Sequence, residues 1–128
     1  MKNLLMLFLV LTSLTSFAQE SKPVKFVSNS SIRGLYNKTY NKWDYKNIEE
    51  SELTFLFYSD YITVNDMAHS IYRIVDSLPL ASEEVKYSVR CIDENNKKCV
   101  VSLVRTSDDD FFVIILYPNV VSFSYHLN

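Results

Sequence analysis

Residues 85–105, VKYSVRCIDENNKKCVVSLVR, carry the pattern from which the rest of the chain can be read. Val85, Tyr87, Val89 and Cys91 alternate with Lys86, Ser88 and Arg90, the period of a strand with one buried and one wet face. Glu94-Asn95-Asn96 follows as a polar turn. A three-residue loop there places Asn96 in the left-handed backbone region, which Asn tolerates better than most residues. It also sets Cys91 opposite Cys99, Val89 opposite Val101 and Tyr87 opposite Leu103. A two-residue Asn95-Asn96 loop would pair Ile92 with Cys99 and put the two sulfurs on opposite faces. The first register aligns two apolar faces and is the one expected.

Working outward, Asp108-Asp109-Asp110 turns the chain into Phe111 to Tyr117, an apolar run that reads as a strand buried on both faces. Pro118-Asn119 turns again, and Val121, Phe123, Tyr125 and Leu127 alternate with polar residues to the end. Upstream, Leu53, Phe55 and Phe57 form a central strand, Ile62 to Val64 and Ser70 to Val75 two more, and Asp76 to Glu84 is a long polar connection without helical period. Gln19 to Ser31 reads as a leader into an edge strand, with Ser28-Asn29-Ser30-Ser31 as a loop. Gly34 is the only glycine, so Asn, Asp and Ser must make the corners. The expectation is a single small all-β domain of seven or eight antiparallel strands in meander order, as a small barrel or a strongly curved sheet.

Lys2, the apolar run Leu4 to Leu11 and the small and polar residues up to Ala18 have the form of a secretory signal peptide. Residues 1–18 are therefore expected to be removed, leaving 19–128 as a secreted or periplasmic domain. The apolar run is too short to span a bilayer, which takes ~20 apolar residues, so no membrane span remains after cleavage. In an oxidising compartment the two cysteines are expected to form one bridge, Cys91 to Cys99. The formal net charge of −2 becomes one unit more negative without Lys2, which argues against nucleic-acid binding. The charge is uneven: Lys22, Lys25, Arg33, Lys38, Lys42 and Lys46 face the single acid Asp44 in the first part of the mature chain. The mature chain is expected to be a monomer.

Catalytic signals are scarce, and no enzyme activity, cofactor or metal is expected. His69 reads as a turn residue and His126 as a solvated side chain on the last strand; neither stands in a metal or catalytic spacing. One glycine cannot make a phosphate loop. Asp108 to Asp110 lacks the spaced acids of a calcium loop and reads as a solvated turn. What rises above background is the segment Arg33 to Tyr45, where Tyr36, Tyr40, Trp43 and Tyr45 interleave with Arg33, Lys38 and Lys42. Flat rings beside cations can dock a polysaccharide or a protein partner, which makes Tyr36, Tyr40, Lys42 and Trp43 the candidate binding residues. The simpler reading is that these rings point inward and plug one end of the sheet.

Gly34 and Trp43, followed by a β-meander, resemble the glycine and tryptophan with which lipocalin-like barrels begin, at a wider spacing of nine positions. That resemblance implies an apolar ligand inside a barrel, the alternative to a surface-binding module. Phe55, Phe57, Tyr87, Phe123 and Tyr125 all read as inward residues, so a filled interior is expected.

Overall fold

The turn after Ile92 sets the phase of everything around it. In the computed structural model, which describes residues 22–46, 49–50 and 52–128, the Asp93 N–H donates to the Lys97 carbonyl at 2.9 Å and the Asn96 N–H to the Asp93 carbonyl at 3.0 Å. Asn96 has φ of 61°, which completes the three-residue loop. Cys91 then faces Cys99, Val89 faces Val101 and Tyr87 faces Leu103, as the alternation requires. The expected signal peptide and the cut after Ala18 lie outside the described residues.

The described strands are β1 (Val24–Asn37), β2 (Lys42–Tyr45), β3 (Glu49–Glu50), β4 (Thr54–Phe57), β5 (Tyr61–Val64), β6 (Ser70–Ser77), β7 (Val85–Ile92), β8 (Lys98–Arg105), β9 (Phe111–Tyr117) and β10 (Val121–Leu127). Consecutive strands pair antiparallel from β4 to β10, and β1 joins β4 to β10. Eight strands therefore close into a barrel, with β2 and β3 as additions. Closure removes the open edges that a curved sheet would keep.

The corners carry the residue types that a chain poor in glycine must use. Asn41, His69, Asn96, Asp109 and Asn119 all have positive φ. Pro118 and Asn119 (φ 58°) lie between the Tyr117 carbonyl and the Val120 N–H that donates to it at 3.0 Å, a type II turn with proline and asparagine in their preferred places. The β8–β9 turn repeats the geometry of β7–β8, with Asp109 in place of Asn96. Its carboxylates diverge: Asp109 takes the Arg105 guanidinium, and Asp110 faces His126 Nε2 at 3.1 Å. His126 is thus held between Asp110 and Asn29.

β1 departs from the sequence expectation. It is the longest strand and is not an edge: Val24 to Val27 pair with β4, and Ser28 to Leu35 pair with β10. The polar run Ser28 to Ser31 is strand, with a bulge between Ser28 and Ser30. Ser28 sits fully buried against Leu53, donating its N–H to the Leu53 carbonyl at 2.8 Å and accepting the Leu53 N–H on Oγ at 3.1 Å. A loop signal in the sequence has been satisfied by pairing on both sides. Opposite β1, the segments β2, β3 and β4 form one interrupted partner strand, which slips by a residue at each break.

The inner face is packed. Phe55, Ile62, Val101 and Val113 are fully buried, with Phe57, Val64, Tyr72, Val89, Cys91, Cys99, Ile115 and Leu127 around them. Tyr87, Phe123 and Tyr125 lean on this core as expected, the Tyr125 ring 5.0 Å from that of Phe55. Fully burying a ring such as that of Phe55 contributes about 1.5–3 kcal/mol, and these partly buried rings contribute less. β9 is buried on one face only: Val113 and Ile115 are inside, whereas Phe112, Ile114 and Leu116 are half-buried. Among the described residues no second layer covers the outside of the barrel wall.

Candidate functional site

The β1–β2 hairpin carries the candidate binding residues to the rim of the barrel. Its turn is held by Asn37, whose Oδ1 accepts the N–H groups of Thr39 and Tyr40 at 3.0 and 3.3 Å, and by Asn41 at φ 54°. Tyr36 lies opposite Trp43, and Gly34 opposite Tyr45. Arg33 pairs with Phe123, which faces the interior, so Gly34 and Tyr36 face outward with Ser122.

The rings of this segment do not join the core cluster. The Tyr36 and Trp43 rings meet edge to face at 5.3 Å and 61°, half-buried on the outer face and outside the core cluster. Tyr40 and Tyr45 are 72% and 65% exposed, and the Lys42 ammonium stands 6.0 Å from the Tyr40 ring centroid. The physical reason is register. A one-residue phase decides the face for every side chain of a strand, and pairing with β10 puts Arg33 and Leu35, which stay exposed at this end, on the interior-facing side of β1 in place of the tyrosines.

Gly34 explains how the stripe lies so close to the wall. Its φ is not positive, so what it supplies is space. A Cβ there would stand 2.7 Å from Ser122 Oγ and 2.8 Å from Tyr45 Cε1. The Tyr45 ring lies over the bare glycine, and Ser122, although outward-facing, is buried beneath it.

A second group gathers inside the same end of the barrel. The Tyr117 hydroxyl donates to Asp93 Oδ2 at 2.7 Å, while Asp93 Oδ1 accepts the N–H groups of Asn95 and Lys97. A cleft of about 320 Å³ opens beside them, lined also by Ser70 and Tyr72. Burial, with the Cys99 and Asp66 charges adding, pushes Tyr72 up to about 12. Tyr117 is raised by burial and by its bond to Asp93. Both phenols are held in their neutral form at physiological pH. The sequence reading missed this cluster. Its signal was present, since Tyr72 and Tyr117 are inward positions at the ends of strands that meet the Asp93 turn, but only barrel closure says that those ends converge.

Cys91 and Cys99 are both buried and directly opposed, and the structure holds them as free thiols. The expected bridge is not formed in it. Ladder alternation from the Asp93–Lys97 bond makes Cys91–Cys99 a hydrogen-bonded pair, the wider of the two kinds, with Cα atoms about 5.5 Å apart. That Cα separation lies within the span of a disulfide, although bridged Cβ atoms, about 3.5–4.5 Å apart, stand closer than those of a hydrogen-bonded cross-strand pair usually do. Burial, with the neighbouring thiol adding, pushes Cys91 up to about 12; burial, with the Asp93 charge, pushes Cys99 up to about 11. Both thus stay protonated near neutrality, the form that does not attack.

Comparison with family models, with curated proteins and with solved structures finds no match. Among the described residues no helix is long and apolar enough to cross a membrane.

Proposed function

We propose that the protein is an exported, non-catalytic binding domain whose contact surface is the outer face of the β1–β2 hairpin, and that its ligand is an extended polysaccharide of the cell envelope. The observation that carries this reading is the placement of Tyr36, Trp43 and Tyr45 side by side on an outward sheet face. A half-buried tryptophan on the outer sheet face, beside two tyrosines, gives sugar rings an apolar surface. Lys42 alternates to the other face of β2 and reaches the Tyr40 ring at the hairpin tip, so it supplies a cation for anionic groups at the end of that surface and not on it. Rigid strands position the rings better than a mobile loop would.

Co-sedimentation with insoluble envelope polysaccharide tests it. The parent should sediment with the polymer, and Trp43→Ala should weaken binding by about tenfold or more, as loss of a contact worth over ~1.4 kcal/mol does. Sedimentation unaffected by Trp43→Ala and Tyr36→Ala together would remove the hairpin from the reading. Capture of a protein instead, with no polymer binding, would replace the ligand class.

Export and the bridge belong to the same proposal. Intact mass of protein recovered from cells expressing the full chain should correspond to a start at Gln19; alkylation without reductant should leave it unchanged, whereas reduction followed by alkylation should add two alkyl groups.

The carrier reading keeps one observation in its favour. A groove of about 700 Å³ at the mouth is lined by Tyr117, Pro118, Val121 and Phe123 with Lys97 beside them. It lies at the end of the barrel; the interior positions themselves are filled by the core rings. An apolar fluorescent probe displaced by Phe123→Ala would support a ligand there.

A further inference from the structure

Closure hides the edges of the barrel, yet β2 restores one. It pairs with β1 on one side, and among the described residues nothing pairs with the other. The phase of its backbone follows from two bonds. Lys46 N–H donates to the Arg33 carbonyl at 2.9 Å, and Tyr36 N–H donates away from β2, to the Val120 carbonyl at 3.0 Å. Tyr36–Trp43 and Gly34–Tyr45 are therefore the non-hydrogen-bonded pairs of the hairpin. The N–H and C=O groups of Trp43 and Tyr45 consequently point to the open side.

We propose that this edge pairs with the same edge of a second copy, antiparallel about a two-fold axis at Trp43, so that one sheet runs through both barrels. The charges select the partner. With Trp43 opposite its own counterpart, Lys42 of each copy falls opposite Asp44 of the other, on the inner face of the hairpin, and the symmetry makes this contact twice. Opposite charges directly across a strand pair stabilise it, and like charges there destabilise it. On the outer face the two Trp43 rings become cross-strand neighbours, an aromatic pair of the kind that favours sheet association. An interface in which the same patch meets itself is the isologous arrangement of most dimers. The proposal replaces the monomer expected from the sequence. It is independent of what the rings bind, although pairing would double the aromatic surface.

Charge exchange tests it. Protein from cells expressing the full chain is followed by analytical ultracentrifugation over a range of concentrations, with the emission of Trp43, the one tryptophan of the chain, as a second readout. The parent should dimerise with a concentration-dependent shift in emission. Lys42→Asp alone and Asp44→Lys alone each place like charges opposite one another twice, and each should weaken dimerisation at least about tenfold. The double exchange Lys42→Asp with Asp44→Lys restores the opposition in reverse and should return the dimer to within about threefold of the parent. Circular dichroism of each single variant, unchanged from the parent, shows that it folds. A parent that stays monomeric at all concentrations overturns the proposal. So does a dimer indifferent to both single reversals, which would use another surface. A dimer broken by Asp44→Lys but unaffected by Lys42→Asp overturns the Trp43-centred register.

Discussion

The hairpins β7–β8 and β1–β2 both turn on an asparagine with positive φ, Asn96 at 61° and Asn41 at 54°. In the first, the apolar members of each strand, Val89, Cys91, Cys99 and Val101, face the interior and are buried. In the second, the interior face carries Arg33, Leu35 and Asp44, and the rings of Tyr36, Trp43 and Tyr45 lie outside. The same local rules thus build a piece of core and a piece of surface. What separates them is the neighbour on the far side: β7 and β8 lie between packed strands, whereas among the described residues β2 has a partner on one side only.

The sharpest way to break this contrast is to truncate one ring from each region. Phe55, 0% exposed and with its ring tilted against that of Tyr125, should cost about 3–5 kcal/mol when changed to Ala, as buried aromatic truncations do. Trp43→Ala should cost below about 1 kcal/mol, the range of surface changes. Denaturant unfolding of the two variants against the parent measures both. A loss of 3 kcal/mol or more at Trp43, on the scale of a core truncation, would return that ring to the core.

Gly34 joins the two regions, since it lies in a barrel strand and under a hairpin ring. Gly34→Ala forces its methyl against Ser122 Oγ and the Tyr45 ring, and should destabilise by about 1–3 kcal/mol, as overpacking does. In a Tyr45→Ala background the same change should cost less, because one of the two obstructing groups is gone. Equal costs in both backgrounds, from a double-mutant cycle, would mean that the Tyr45 ring does not rest on the glycine.

The legible parts of the fold were those in which a local pattern carried its own phase. Alternation from Val85 to Cys91, a polar turn and a second alternation determined the register of β7–β8, down to the left-handed Asn96. The all-β class and the corner residues followed from the same patterns, and the closed barrel was one of two outcomes they allowed. β1 was not legible, because Ser28, Ser30 and Ser31 have no apolar alternation. Their strand is imposed by β10 on one side and by β3 and β4 on the other, contacts between residues far apart in sequence. The outward turn of Tyr36 and Trp43 was hidden for the same reason. An interleaving of rings and cations reads alike on either face, and only pairing with β10 breaks the tie.

Asn96 offers a smaller test. Its left-handed conformation should make Asn96→Ala cost about 1 kcal/mol, while Asn96→Gly should be nearly neutral. Asn41→Ala carries the same backbone strain at the tip of the other hairpin. There it should show chiefly as faster amide exchange near the tip, since fewer contacts hold that turn to the barrel. Thermal unfolding and amide exchange of the three variants distinguish the turn on which the fold depends from the one that it tolerates.

The finest distinction lies in how the two turns are capped. Asn37 holds the β1–β2 turn with an amide oxygen, which does not titrate near neutrality, whereas Asp93 holds the β7–β8 turn with a carboxylate. Partial burial of Asp93 acts to raise its pKa. The Tyr117 hydroxyl, the Lys97 and Asn95 N–H groups and the Lys97 charge act against burial and win, leaving it below its ordinary value of 3.8. A carboxylate with a depressed folded pKa contributes stability that is present above the unfolded value and is lost as pH falls through the folded one. Acid should therefore loosen the Asp93 turn and leave the Asn37 cap alone. In an NMR titration the Asn95 and Lys97 amides should shift together with a midpoint below the ordinary carboxylate value, while Thr39 and Tyr40 show no such step. Tyr117→Phe removes one of the bonds that favour the charged form, so the midpoint should move up toward the ordinary value. An unmoved midpoint would show that the backbone donors alone hold the Asp93 carboxylate, and that the bond from β9 adds nothing to the turn.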